Sequence, residues 1–151
     1  MEPPAYQRKY EALNRSLKRL EEFYLGKIDD SDSFSGPKDY IFGYFDCTYA
    51  LKESLKYLPD VEVEKFVTSE SIVALGIDIS NKNKHGQLDK SKTNHVIGIV
   101  NTHLHIFDPH GKDRTELTIE IDGEKKDCLK LAKENFEYWR EYLLKHSLIN
   151  E

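Results

Sequence analysis

The side chains best suited to chemistry fall in three places along the chain. The first is Asp78-Ile-Ser-Asn81-Lys82-Asn-Lys84-His85. On a helix of about 3.6 residues per turn, Asp78, Asn81 and His85 share one strip of surface. That strip lies beside the apolar spacing of Ile72, Leu75 and Ile79, which turns it toward a groove. An imidazole near a helix C-terminus has its cation favoured by the macrodipole, and the amide and carboxylate before it can orient the ring. Lys82 and Lys84 flank the strip, Lys90 and Lys92 follow, and Asp89 is the only acid between 82 and 92. Such a set suits phosphate binding, or general acid–base work on an RNA 2′-hydroxyl with Asp78, Asn81, Lys84 and His85 as the catalytic group. It equally suits a plain polar helix end, in which Asp78 and His85 hydrogen-bond and the lysines face water. Spacing alone leaves both open.

The second place is His95, His103, His105 and His110. Residues at i and i+2 of a strand share a face, so His103 and His105 form a pair with metal-ligand geometry, which Asp108 or His110 would complete. No third ligand is fixed by spacing, and exposed histidines on a hairpin are ordinary, so no metal or other cofactor is expected. The third place is Asp46, Lys52 and Glu53, a polar strip that would meet the next helix across a bundle or face solvent. Lys52, Lys82 and Lys84 are the candidate phosphate or RNA contacts. There is no phosphate-binding glycine loop, no nucleophile elbow, and no Ser or Cys in a nucleophile setting.

The elements that must position these groups are mostly helical. Tyr6, Tyr10, Leu13, Leu17, Leu20 and Tyr24 step by four, three, four, three, four, an apolar stripe on one helix face that starts after Pro3-Pro4 and stops at Gly26. The stretch from Asp29 to Pro37 has the composition of a connecting loop. Ile41, Phe45, Thr48, Leu51, Leu55 and Leu58 carry a second stripe, broadened by Phe42, Tyr44 and Tyr49 and ended by Pro59. Val63 to Val67 makes a short turn of helix, Thr68 to Ser71 a capping region, and Ile72, Leu75 and Ile79 a third helix running to His85, with Gly86 as its stop. The β-branched and aromatic run from His95 to Phe107, the turn chemistry of Asp108 to Asp113, and the strict alternation around Leu117, Ile119 and Ile121 predict a β-hairpin insertion at about 94–122, or a small meander if the first strand breaks near Asn101, with Asp122-Gly123 as a second turn. Leu129, Ala132, Phe136, Trp139 and Leu143 form the closing stripe. The expectation is one domain over residues 1–151, mainly α, a four-helix bundle with a small β-hairpin before its last helix.

Composition agrees. The chain has 151 residues, 32% charged and 38% hydrophobic, at net charge −5, which gives no global field to draw in nucleic acid. No apolar run approaches the roughly 18 residues of a membrane span. The leader-free Met1-Glu-Pro-Pro and two isolated cysteines, Cys47 and Cys128, point to a reducing cytoplasm.

The chain resembles a broad set of uncharacterised bacterial HEPN-like helical proteins. The resemblance lies in the Val63–Val67 stretch and the run to Asp78-x-x-Asn81-x-x-Lys84-His85, together with Phe45, Asp46, Cys47, Leu51 and Lys52 on the second helix and Trp139 on the last. It implies a helical bundle, often a homodimer that sets two motif-bearing helices together, in stress, phage-defence or toxin–antitoxin settings. It also implies a ribonuclease motif of an arginine followed by a histidine. His85 fits that histidine, but the arginine positions hold Asp78, Ile79 and Ser80. The family's histidine and Asp-Trp pair on the second helix are replaced by Ala50 and Glu53-Ser54. The expected function is therefore a non-catalytic or weakly active binding or scaffold module with an RNA or protein partner. A metal-independent ribonuclease using His85 as general acid–base is the alternative, and a metal or small-molecule site on the hairpin histidines is a third.

Overall fold

The computed structural model describes residues 2–26, 38–85, 96–105 and 114–150. Four long helices stand where the sequence placed helices: α1 (Ala5–Tyr24), α2 (Lys38–Leu55), α4 (Ser71–His85) and α5 (Cys128–Lys145). A short α3 (Val63–Ser69) precedes α4, and a single 3-10 turn, Pro59–Val61, leads into it. The loop from 29 to 37 and the Gly86 stop lie outside the described residues.

The stripes of α1, α2 and α5 become the core, whereas α4 buries Val73, Ala74, Ile77 and Ile79 and leaves the expected Ile72 and Leu75 half-buried. On α1 the buried side chains are Tyr10, Leu13, Leu17, Leu20 and Phe23. Pro4 stands at its N-cap, and Gly26, at φ 71°, takes the left-handed conformation just beyond its end, where glycine carries no Cβ penalty. On α2 both the stripe and the broadening aromatic Tyr44 are buried, because this helix packs on α1 along one side and on α4 along another. Helix α2 stops at Leu55, before the stripe residue Leu58. Leu58 stands directly before Pro59 and is held extended at φ −110° and ψ 90°. Helix α5 lies across α1, α2 and α4 and seats the fully buried Trp139. Phe136 of α5 stacks on Tyr10 of α1 at 5.6 Å, and Phe66 of α3 stacks on Tyr142 at 4.0 Å and meets Trp139 edge-on at 5.2 Å.

The insertion is larger than the predicted hairpin. Strands β1 (Ile97–His105), β2 (Arg114–Ile121) and β3 (Glu124–Asp127) form one antiparallel sheet in the order β1-β2-β3. The insertion therefore runs on to Asp127 instead of ending at 122. The turn at Asp122 (φ 54°) and Gly123 (φ 83°) is the tight, positive-φ connection that suits the twist of a hairpin. The sequence Glu-Lys-Lys-Asp of β3 gave no strand signal, because it is an exposed edge strand with no apolar face to pack. The inner face of β2, through the buried Leu117, Ile119 and Ile121, closes the core beneath α1 and α5.

Two polar hubs tie these layers together. At Leu117, β2 has run past its pairing with β3, which covers residues 118–121. The Tyr24 hydroxyl takes the missing strand's place: it lies 3.1 Å from the Leu117 N–H and 2.9 Å from its carbonyl oxygen. It also accepts from Leu129 N–H in the first turn of α5 at 3.1 Å, and sits 2.7 Å from Asp127 Oδ1. The other oxygen of Asp127 caps α5 by accepting from Lys130 N–H at 2.9 Å. Burial, and then the Asp127 carboxylate, push the Tyr24 hydroxyl far above the usual tyrosine range, so it stays protonated. The second hub is Asn135, fully buried on α5. Its Oδ1 accepts from Tyr44 Oη at 2.9 Å and its Nδ2 donates to the Ile72 carbonyl at 3.0 Å. It fits there because Gly76 lets α4 approach.

The two cysteines are packing residues. Cys128 is fully buried and Cys47 is half-buried; burial raises both thiols above the usual range, at Cys47 in spite of a hydrogen bond with Ser16. Titration of the native protein with a thiol reagent at neutral pH is expected to label Cys47 slowly and Cys128 only after denaturant is added. Prompt labelling of both would contradict this packing.

Candidate functional site

The C-terminal half of α4 is held from two sides. Asp46 on α2 spans one turn of α4: its Oδ1 accepts from Ser80 Oγ at 2.7 Å and its Oδ2 from Asn83 Nδ2 at 3.2 Å. One carboxylate can serve both because residues three apart are neighbours on a helix surface. From a neighbouring position, Lys82 Nζ reaches the other way and donates to the Ile97 carbonyl at the start of β1. The end of α4 is thus clamped between α2 and the sheet, and Lys84 and His85 complete its last turn beyond the clamp.

The strip read from the sequence therefore exists as a face of α4, but its members differ in setting. Asp78 is fully buried, whereas Asn81, nearly one turn on, is half-buried. The strip rises from the core toward the helix end that carries His85. Ser80 and Asn83, absent from the sequence reading, do the holding. They are ordinary small polar residues, and only the register of α4 against α2 gives them a common partner. The expected meeting of the α2 strip with this helix is made by Asp46 alone.

Lys52 does not join this group. It is nearly buried at 5% exposure and forms ion pairs with Glu53 at 3.5 Å and Glu64 of α3 at 3.4 Å, with the ring of Tyr49 5.0 Å from its ammonium. Lys56 pairs with the same two acids, at 3.0 and 3.7 Å. Burial works to raise the Glu53 carboxyl, yet the two lysines hold it below its usual range. Two cations and two carboxylates balance here, so Lys52 serves to dock α3 on α2.

The histidine set is only partly within view. His103 and His105 alternate along β1, in register with Glu116 and Arg114 of β2. His95, Asp108 and His110 lie outside the described residues. Among the described residues, no group of three or more His, Cys, Asp or Glu side chains is placed to hold a metal ion. No described helix is long and apolar enough to cross a membrane.

No known protein family matches this chain, and neither the curated proteins nor the solved structures hold a significant match to it.

Proposed function

We propose that this chain is a HEPN-like helical binding or scaffold module, non-catalytic or weakly active, whose working surface is the end of α4 at Asn81, Lys82, Lys84 and His85. The observation that carries this reading is how the polar residues around that surface are used. Asp78 is fully buried, and Ser80, Lys82 and Asn83 all form hydrogen bonds within the fold. A catalytic strip needs its acid turned toward a substrate; here Asp78 is buried, and its polar neighbours Ser80, Lys82 and Asn83 hold the helix that bears His85. The absent arginine points the same way, since a lysine ammonium does not offer the planar fork that steadies a scissile phosphate. An acidic chain with a locally basic 82–92 stretch fits a protein partner, or an RNA gripped at one spot, in a cytoplasmic stress, phage-defence or toxin–antitoxin setting.

A second reading, a metal-independent ribonuclease, rests on Asn81 and His85 sharing one helix face just over one turn apart. One experiment separates the two: the full chain and its His85→Ala variant are incubated with a mixed RNA pool in the presence of a chelator. The module reading expects RNA left uncleaved or only slightly cleaved, with the same pattern from both. Cleavage by the parent that is lost in the variant would make His85 a general acid–base and overturn the module reading.

A further inference from the structure

The sheet has two edges, and the chain treats them differently. On one side β3 has only four residues, with Lys125 and Lys126 among them and an ion pair between Lys126 and Glu124 at 3.1 Å. Where β3 ends, the Tyr24 hydroxyl closes the exposed backbone of Leu117. Short length and charge are common protections of a strand edge against pairing with another chain. On the other side β1 has nine residues, and none of them is Lys, Glu, Asp or Pro.

The ladder fixes which backbone groups of β1 are open. Ile121 and Glu124 flank a two-residue turn, so they exchange hydrogen bonds, and Ile121 turns its backbone toward β3. Leu117, an even number of positions earlier, turns the same way, toward Tyr24. The even-numbered residues of β2 therefore bond toward β1, where Arg114, Glu116 and Thr118 face His105, His103 and Asn101. Backbone groups alternate along a strand, so the N–H and C=O of Val100, Thr102 and Leu104 point away from β2. Among the described residues no backbone partner takes them up. The bulge between Ile97 and Val100 interrupts this edge only at its start, and there Lys82 covers the Ile97 carbonyl. From Val100 to His105 the register is unbroken.

We propose that the edge of β1 from Val100 to Leu104 receives an extended segment of a partner protein as a fourth strand, and that this segment is flanked by acidic residues. The inference rests on the module reading above and names what the module holds. Main-chain hydrogen bonds at the three open residues supply the affinity, as in strand addition generally. Charge supplies the choice of partner. Lys82 stands at one end of the open edge, and Lys84 follows it in the last turn of α4. Arg114 is in register with His105 at the other end. The acids nearest in register, Glu116 and Glu120, belong to β2, one strand further in. Val96, 70% exposed just before β1, offers an apolar contact beside the first of these cations.

The test is binding of a fluorescein-labelled peptide of alternating valine and threonine with glutamates at both ends, read by fluorescence anisotropy with the full chain. The same peptide with lysines at both ends is the control. At low salt the glutamate peptide is expected to bind saturably and about tenfold more tightly than the control, the difference narrowing as salt is added. Amide exchange followed by NMR is expected to slow at Val100, Thr102 and Leu104 on binding and to stay unchanged at Asn101 and His103. Thr102→Pro removes an outward donor and no bond to β2, and is expected to weaken binding about tenfold. Exchange at Asn101 and His103 checks that the variant keeps its ladder. If it does not, the glutamate peptide with every amide N-methylated puts the same question to the parent chain, and is expected not to bind. The proposal is overturned by no saturable binding, by equal binding of the two peptides, or by binding that survives Thr102→Pro in a folded variant or survives N-methylation. A uridine-rich RNA that slows the same amides where the peptide does not would also overturn it. Failure of the peptide with RNA left intact removes only the strand edge, whereas cleavage that depends on His85 removes the module reading whether or not the peptide binds.

Discussion

Replacing Tyr24 by phenylalanine is expected to lower the stability of the fold by about 2–3 kcal/mol, because one hydroxyl serves three elements. Its loss removes the partner of Leu117 N–H, where β3 has ended, and of Leu129 N–H in the first turn of α5. It also removes the donor to Asp127, the residue that caps that helix. A buried donor left without a partner costs about 1–3 kcal/mol, and the site is only partly buried, so water takes up part of the loss. For a chain of this size the melting temperature is expected to fall by roughly 5–10 °C. Thermal unfolding followed by circular dichroism measures it. A shift of less than about 2 °C would mean that the hydroxyl is not the junction described here.

The second large effect is expected at Gly76. A Cβ built there would stand 2.7 Å from Asn135 Nδ2 and 3.0–3.1 Å from the ring of Phe45. Neither neighbour has room to yield: Asn135 is fully buried and Phe45 is 1% exposed. Gly76→Ala must therefore push α4 away from α5 or displace the amide from Tyr44 and Ile72. Overpacking of this kind costs about 1–3 kcal/mol, against about 1 kcal/mol of helix propensity returned by alanine. With the amide's hydrogen bonds strained as well, the net loss is expected to be about 2 kcal/mol. Asn135→Ala alone, which strands the Tyr44 hydroxyl and the Ile72 carbonyl, is expected to cost a similar amount. The double variant tests the geometry directly. Removing the amide opens the space that the new methyl needs, so the two losses are expected to fall short of additive by about 1 kcal/mol in denaturant titration. Strict additivity would refute the close approach.

These hubs also mark where sequence reading stops. The stripes of α1, α2 and α5 were legible because a helix that buries one face must repeat its apolar residues at three and four, whereas α4 is apolar on more than one side and buries Val73, Ala74 and Ile77 in place of the expected Ile72 and Leu75. The break between α3 and α4 was legible in Thr68 to Ser71. Strand β3 was not, since an exposed edge has no such repeat. The candidate site divides the same way. Asp78, Asn81 and His85 share a helix face by arithmetic, and that part needs no tertiary information. That Asp78 is buried while Asn81 is half-exposed depends on how α4 sits against its neighbours. So do the Asp46 clamp on Ser80 and Asn83 and the capture of Lys52 by Glu64. Each joins residues that are remote in sequence or set by packing, and no local pattern encodes the register that joins them.

The hubs have a consequence for the order in which the fold is completed. Tyr24 bonds to residues 93 to 105 positions later, Tyr44 to one 91 positions later, and the Ile72 carbonyl to one 63 positions later. The Tyr142 hydroxyl reaches back 81 positions to the Val61 carbonyl. All but the bonds to Leu117 end on α5 or its cap, the last of the described helices to leave the ribosome. At about 5–20 residues per second, the earlier helices exist for several seconds with these polar groups and their apolar faces uncovered. Helices α1 and α2 can pair locally in that interval, but the core closes in one late step, when α5 arrives. A nascent chain stalled before Cys128 is therefore the form of this protein most in need of a chaperone.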